Sequence, residues 1–153
     1  MATSLPQLAQ ILRDEGLSGA LAAINHAVPH RYTGVFFKAG PLLENIALHD
    51  KKVARAKPWA PFALGQSFCS IILASGDPLT VREASQDART DVNQHPAGAI
   101  VQCYCGVPLL SHDGTILGTL CHFDEEPMSA AIDLVSMLRI PRLLRAYLPP
   151  APG

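Results

Sequence analysis

Residues 104–124 read Tyr104-Cys105-Gly106-Val107-Pro108-Leu109-Leu110-Ser111-His112-Asp113-Gly114-Thr115-Ile116-Leu117-Gly118-Thr119-Leu120-Cys121-His122-Phe123-Asp124. Two apolar runs rich in strand-forming residues flank an Asp113-Gly114 pair, which supplies the positive backbone angles of a tight hairpin turn. The middle of the chain is therefore expected to be antiparallel sheet. Working outward, Tyr32 to Lys38 is aromatic and β-branched, and Leu42 to His49 follows after Gly40-Pro41, so this pair reads as a second hairpin.

Helical signals surround these strands. Leu5, Leu8, Ala9, Ile11 and Leu12 recur at helical spacing over Leu5–Glu15, with Ser4 as cap and Gly16 as stop, and Ser18–Ala27 continues before Pro29. These stretches form one helical hairpin or one bent helix. Gln66–Ser75 reads as a short helix stopped by Gly76, and Pro78–Arg82 as a short strand. Asp50–Pro61 and Glu83–His95 are polar loops, and Ala97–Val101 holds a helical turn. Ser129–Tyr147 carries an apolar stripe of Ile132, Val135, Met137, Leu138 and Leu144, which predicts a last helix kinked at Pro141 at a cost of ~3 kcal/mol. Arg139, Arg142 and Arg145 would then share one solvated face near its C-terminus.

The chain has 153 residues, 48% hydrophobic and 16% charged, which suits one globular domain over 1–148 with a disordered tail at 149–153. With 12 Lys+Arg against 13 Asp+Glu, the net charge of -1 lacks the positive field of a nucleic-acid binder. No signal peptide opens the chain, and no run of about 18 apolar residues could span a bilayer, so no membrane partner is expected. The expected location is cytoplasmic. The four cysteines, Cys69, Cys103, Cys105 and Cys121, then read as free thiols or ligands rather than disulfides.

Several pieces in order resemble the GAF domain of bacterial signalling proteins. They are Ser67-Phe68-Cys69-Ser70, Ala74-Ser75-Gly76-Asp77-Pro78-Leu79, Gly106-Val107-Pro108-Leu109, Asp113-Gly114, and Leu117 to Asp124 with Pro127. The resemblance is densest from Ser67 to Pro127. It implies an α+β fold with a central antiparallel sheet of about five or six strands. Terminal helices would lie on one face, and a ligand pocket roofed by short helices and loops on the other. It also implies a GAF domain standing alone, without an attached kinase, cyclase or DNA-binding module.

Strand alternation puts Thr119, Cys121 and Phe123 on one face of their strand and Leu120, His122 and Asp124 on the other. Tyr104 and Gly106 likewise oppose Cys103 and Cys105. Which set faces the pocket is open at this level. With the positions that GAF domains bring over the sheet, the resemblance implies pocket candidates Trp59, Phe62, Ser67, Cys69, Tyr104, Thr119, Cys121 and Phe123. Such a lining suits a small neutral or weakly polar ligand. Arg82 and Arg89 would add an anion contact or be exposed loop residues.

The resemblance extends to an enzyme, free methionine-(R)-sulfoxide reductase, which uses cysteine thiols and holds its substrate with strand-borne acids. Cys121 and Phe123 stand where that enzyme carries two aspartates, and Tyr104 where it carries a glutamate. Cys69 falls near one of its cysteines, but Cys103 and Cys105 do not reproduce the catalytic one. Only Cys69, near a helix start, has a source of thiolate stabilisation, and the favoured reading of it is a small buried core thiol.

Cys103-x-Cys105 and Cys121-His122 could be ligands for zinc or iron, but residues one apart on a strand diverge, so core packing is the default reading. Bilin attachment at a Cys-His pair belongs to a helix rather than a strand. His122 is then expected to bond a neighbouring backbone group, and Asp124 to cap the turn before Pro127. No catalytic motif can be assembled, and no cofactor is named by the sequence.

The reading that follows is a stand-alone sensory, small-molecule-binding domain in signal transduction and not an enzyme. It would act through a homodimer or a signalling partner contacted by Leu8, Ile11, Leu12, Leu134, Leu138 and Leu144. The same leucines could instead only cover the sheet. The alternatives are a thiol-dependent sulfoxide reductase and an interaction scaffold with no ligand.

Overall fold

The computed structural model describes residues 3–90, 100–128 and 132–149. Six strands form one sheet in the order β3-β2-β1-β6-β5-β4: β1 (Tyr32–Ala39), β2 (Leu42–Asp50), β3 (Phe62–Ala63), β4 (Leu79–Val81), β5 (Cys103–Leu110) and β6 (Ile116–Asp124). Every neighbouring pair is antiparallel. The two hairpins expected from sequence, β1-β2 and β5-β6, join through β1 and β6 at the centre of the sheet.

The sheet is covered on both sides. One face packs Val35, Phe37, Cys105, Val107 and Leu120 against Leu8, Leu12, Leu21 and Ile24 of helix α1 (Leu5–His26), together with Met137 and Leu144. The other packs Tyr32, Phe36, Tyr104, Cys121 and Phe123 against Phe68, Cys69 and Ile72, the last two on helix α2 (Cys69–Ser75). A strand buried on both faces gains from apolar residues at every position. That is why β5 and β6 read as almost unbroken apolar runs.

Helix α1 is one bent element. Ser4 and Gln7 close a reciprocal capping box, and Gly16, at φ 71 and ψ -163, interrupts the helix without ending it. The β5-β6 connection differs from a two-residue turn. Ser111 to Thr115 form a longer loop, closed by Gly114 N to Ser111 O at 3.1 Å and Ser111 N to Thr115 O at 2.9 Å. Only Gly114, at φ 88, needs a positive angle there. Asp113 contributes its carboxylate instead, which accepts from Thr115 N.

The C-terminal expectation is corrected. Instead of one kinked helix over Ser129–Tyr147, there are two short ones, α3 (Leu134–Met137) and α4 (Pro141–Leu144), and a 3₁₀ turn at Arg145–Tyr147. Pro141 has no amide to donate and starts α4 at its first position, where none is needed. The three arginines therefore share no helix face, and Arg145 donates to Leu110 O at 3.1 Å. Leu8, Leu12 and Leu144 are buried and cover the sheet, whereas Leu138 and Val135 are exposed. The expected turn at Ala97–Val101 and the tail at 149–153 fall largely outside the described residues, as do the last part of the Glu83–His95 loop and the first part of the expected final helix.

Candidate functional site

Between α2, the face of β1, β5 and β6 beneath it, and the coil before β3 lies a small cavity of about 40 Å³. Its walls are Phe36, Trp59, Phe62, Ser67, Phe68, Cys69, Val101, Tyr104, Cys121 and Phe123. Parity sets this lining: Tyr104 of β5 stands opposite Phe123 of β6, and Cys121 opposite Gly106, so these side chains rise from one face. Of the sequence candidates, all but Thr119 line the cavity. Thr119 lies just beneath, its hydroxyl 3.1 Å from Cys69 Sγ. Phe36, Phe68 and Val101 are additions; Phe36 pairs with Thr119 across β1 and β6, so the same alternation carried one strand further would have found it.

Cys69 is the polar centre. It is the first residue of α2, and its amide donates to Ser67 Oγ at 3.1 Å. Its sulfur lies 3.2 Å from Tyr104 Oη, and Cys121, whose thiol donates to Gly34 O at 3.8 Å, lines the same cavity. Tyr104 reaches it because position 106 is glycine: a Cβ there would lie 2.5 Å from Tyr104 Oη and 2.7 Å from Ile72 Cδ1. Burial opposes ionisation of Cys69 and is the largest single influence. Hydrogen bonds from Cys121, Ser67, Thr119 and Tyr104 together outweigh it and lower the thiol below its ordinary range. Cys121 moves the opposite way, raised by burial and by its bond to Cys69. The two thiols titrate as a coupled pair, with ionisation favoured at Cys69 and disfavoured at Cys121.

The outer wall is aromatic. Phe123 stacks on Tyr32 at 4.9 Å and meets Trp59 edge-on at 5.3 Å. Each such contact contributes about 0.5–1.5 kcal/mol beyond burial. Trp59 is 38% exposed and is tied to the sheet by its amide, which donates to Asn45 Oδ1 at 2.9 Å. The amide group of Asn45 donates in turn to Val35 O at 3.1 Å and Ala47 O at 2.8 Å, at the place where the β1-β2 register slips. Nothing in the sequence pattern marked Asn45.

Arg82 and Arg89 take no part in the cavity. Arg89 pairs with Asp87 at 2.7 Å and donates to Thr80 O. The proposed metal ligands diverge: Cys105 packs on the α1 face, its sulfur 3.8 Å from Met137 Sδ, while Cys121 faces α2. Burial pushes Cys103 up to about 12 and raises Cys105.

On the α1 side, His122 meets a side chain rather than the expected backbone group, its Nδ1 lying 2.7 Å from Thr33 Oγ1. Asn25 donates to that same hydroxyl oxygen at 2.8 Å, so the hydroxyl links Asn25 and His122 in one buried network. His30 stacks on His122 at 5.8 Å, and its Nδ1 is buried with no partner among the described residues. Asp124 caps as expected, accepting from Glu126 N at 3.0 Å and from Arg31 N at 2.9 Å. A larger cavity of about 380 Å³ opens between α1, α3 and His122. Its rim includes Thr3 and Ile132, whose neighbours 1–2 and 129–131 lie outside the described residues, so its extent is that of the described residues alone.

No curated protein matches the chain. Among solved structures, it is similar to the free methionine-R-sulfoxide reductase of Neisseria meningitidis in complex with its substrate. That match has 18% identity and a TM-score of 0.71 over 94% of this chain and 84% of that one. A protein of Burkholderia vietnamiensis described as a GAF sensor gives 18% and 0.71 over 93% and 89%. The GAF domain of an Acinetobacter phosphoenolpyruvate-protein phosphotransferase gives 13% and 0.69 over 95% and 93%. At these identities the likeness is one of fold. The GAF domain model matches residues 7–138, most of the chain, and the protein belongs to the GAF domain family.

Proposed function

We propose that this chain is a sensory domain that takes a small, neutral or weakly polar ligand between α2 and the sheet and passes the change to a partner in cytoplasmic signal transduction, without catalytic turnover. One observation carries this reading: Ser67, Cys69, Tyr104 and Thr119 converge beneath an apolar chamber whose outer wall is a half-exposed tryptophan. The chamber holds about 40 Å³, close to a single water. A metabolite therefore enters only as Trp59 and its coil move outward, which couples occupancy to a change of shape.

Trp59 is the only tryptophan, so its emission reports that movement. Titrating the protein with small metabolites should shift Trp59 emission and raise Tm for one chemical class. An unmoved spectrum and Tm across the whole set would favour a scaffold without ligand. The output surface on this reading draws on the exposed apolar side chains Leu5, Val135 and Leu138, which would pair two copies.

A second reading is a thiol-dependent methionine sulfoxide reductase. It is supported by the fold likeness to the Neisseria enzyme and by Cys69 at the cavity. It is opposed by Tyr104, Cys121 and Phe123, none of which can neutralise a substrate ammonium group. Thioredoxin-coupled turnover of free methionine sulfoxide would install this reading in place of the first.

A further inference from the structure

We propose that Cys69 and Cys121 form a thiol pair that reacts with hydrogen peroxide and closes to a disulfide. The inference deepens the reading above, because both sulfurs line the same cavity, but it requires no other ligand.

Four groups make Cys69 unlike Cys103 and Cys105. Tyr104 Oη at 3.2 Å and Thr119 Oγ1 at 3.1 Å are hydroxyls placed to donate to its sulfur, with Ser67 and the Cys121 thiol beside them. Donors gathered around sulfur stabilise the thiolate, which is the reactive form. Among the described residues, Cys105 has only Thr80 Oγ1, at 3.9 Å, and Met137 Sδ near its sulfur and Cys103 has no such set, and burial raises both. A second thiol on the wall of the same cavity is what can convert a sulfenic acid to a disulfide before it oxidises further.

The steps balance. Cys69 thiolate attacks one oxygen of the peroxide; the S–O bond forms as the O–O bond breaks, and the departing hydroxide takes up the proton that Cys69 had released, leaving as water. Cys121 then attacks the sulfenic sulfur; the S–S bond forms, the S–O bond breaks, and the hydroxyl leaves with the Cys121 proton as a second water. Two thiols are oxidised by two electrons, and one peroxide is reduced to two waters. While Trp59 stays in place, the chamber beside the two sulfurs, about 40 Å³, admits only a molecule of roughly the size of water and so favours hydrogen peroxide over bulky organic hydroperoxides.

The test follows thiol loss by mass spectrometry in the folded, reduced protein. Hydrogen peroxide should link the Cys69 and Cys121 peptides about tenfold faster than it modifies Cys103 or Cys105. Cumene hydroperoxide at equal concentration should be slower than hydrogen peroxide. Cys121→Ser should stop at a sulfenic acid that dimedone traps on Cys69, and Cys69→Ser should give neither product. Tyr104→Phe, which keeps both thiols, should slow the first step. The proposal is overturned if Cys69 reacts faster in urea than in the native fold, or if Cys103 and Cys105 oxidise as fast. Metabolite binding read from Trp59 in the reduced protein and in Cys69→Ser separates this outcome from failure of the ligand reading.

Discussion

Gly106 shows how one residue sets the chemistry of another. Its missing Cβ leaves the space in which Tyr104 Oη lies, and through that hydroxyl it shapes the surroundings of Cys69. Gly106→Ala would place a methyl group 2.7 Å from Ile72 Cδ1 as well, so about 1–3 kcal/mol of stability should be lost. Urea unfolding checks the cost, and an unchanged midpoint would show that Tyr104 and Ile72 shift freely.

His122 gives a second prediction at this scale. Burial, with the nearby charges of His30 and Lys51, holds it down to about 3, and burial also lowers His30. In the unfolded chain both titrate near 6.5. The unfolded state therefore binds more protons below about pH 6.5, and the stabilisation is lost as pH falls from there towards the folded value. For His122 the loss should reach about 2 kcal/mol by about pH 5. Unfolding free energies at about pH 7.5 and 5 measure it; His122→Asn should flatten the slope, and a wild-type curve already flat over that interval would contradict the assignment. Parity grouped Cys121 with Phe123, and the family resemblance set them with Tyr104 at the pocket, so that face was legible in the sequence. The contacts of Cys69 with Tyr104 and Thr119 were not, because they depend on how α2 is laid over the sheet.

Among the elements, the strands were the most legible and the ends the least. The β5 and β6 runs declare themselves because a strand covered on both faces has no polar side to dilute its signal. The C-terminal segment has a true helical stripe, yet Pro141 restarts the helix there, and the stripe says nothing of where the turn must fall. The coil carrying Trp59 gave no periodic signal, since its position depends on a side-chain amide of β2 rather than on a ladder. Asn45→Ala would leave the Trp59 amide and the Val35 and Ala47 carbonyls without this partner. A loss of about 1–3 kcal/mol is expected, with Trp59 emission shifted to the red. Unchanged emission would mean that ring contacts with Phe123 and Tyr32 alone hold the coil in place.

Across the whole molecule, the two faces of the sheet divide the labour: one buries α1 and the C-terminal helices, the other the thiol cavity. Among the described residues, the first side leaves three large apolar side chains exposed. Val135 is 64% exposed, Leu138 45% and Leu5 37%, and Leu5 and the α3–α4 segment border the same cavity. If these side chains pair two copies, the interface must be built from them and from nothing deeper, since Leu8, Leu12 and Leu144 are already committed to the sheet. A stable contact buries about 1,600 Å² in all, and apolar residues at its centre tolerate no unpaired charge. Light scattering across a concentration series should therefore show the mass of the wild type rising towards two chains. Val135→Asp with Leu138→Asp should stay monomeric with its circular dichroism unchanged, because both side chains point to solvent in the single chain. A wild type that is monomeric at every concentration would move the output from a second copy to a different protein on the same side chains.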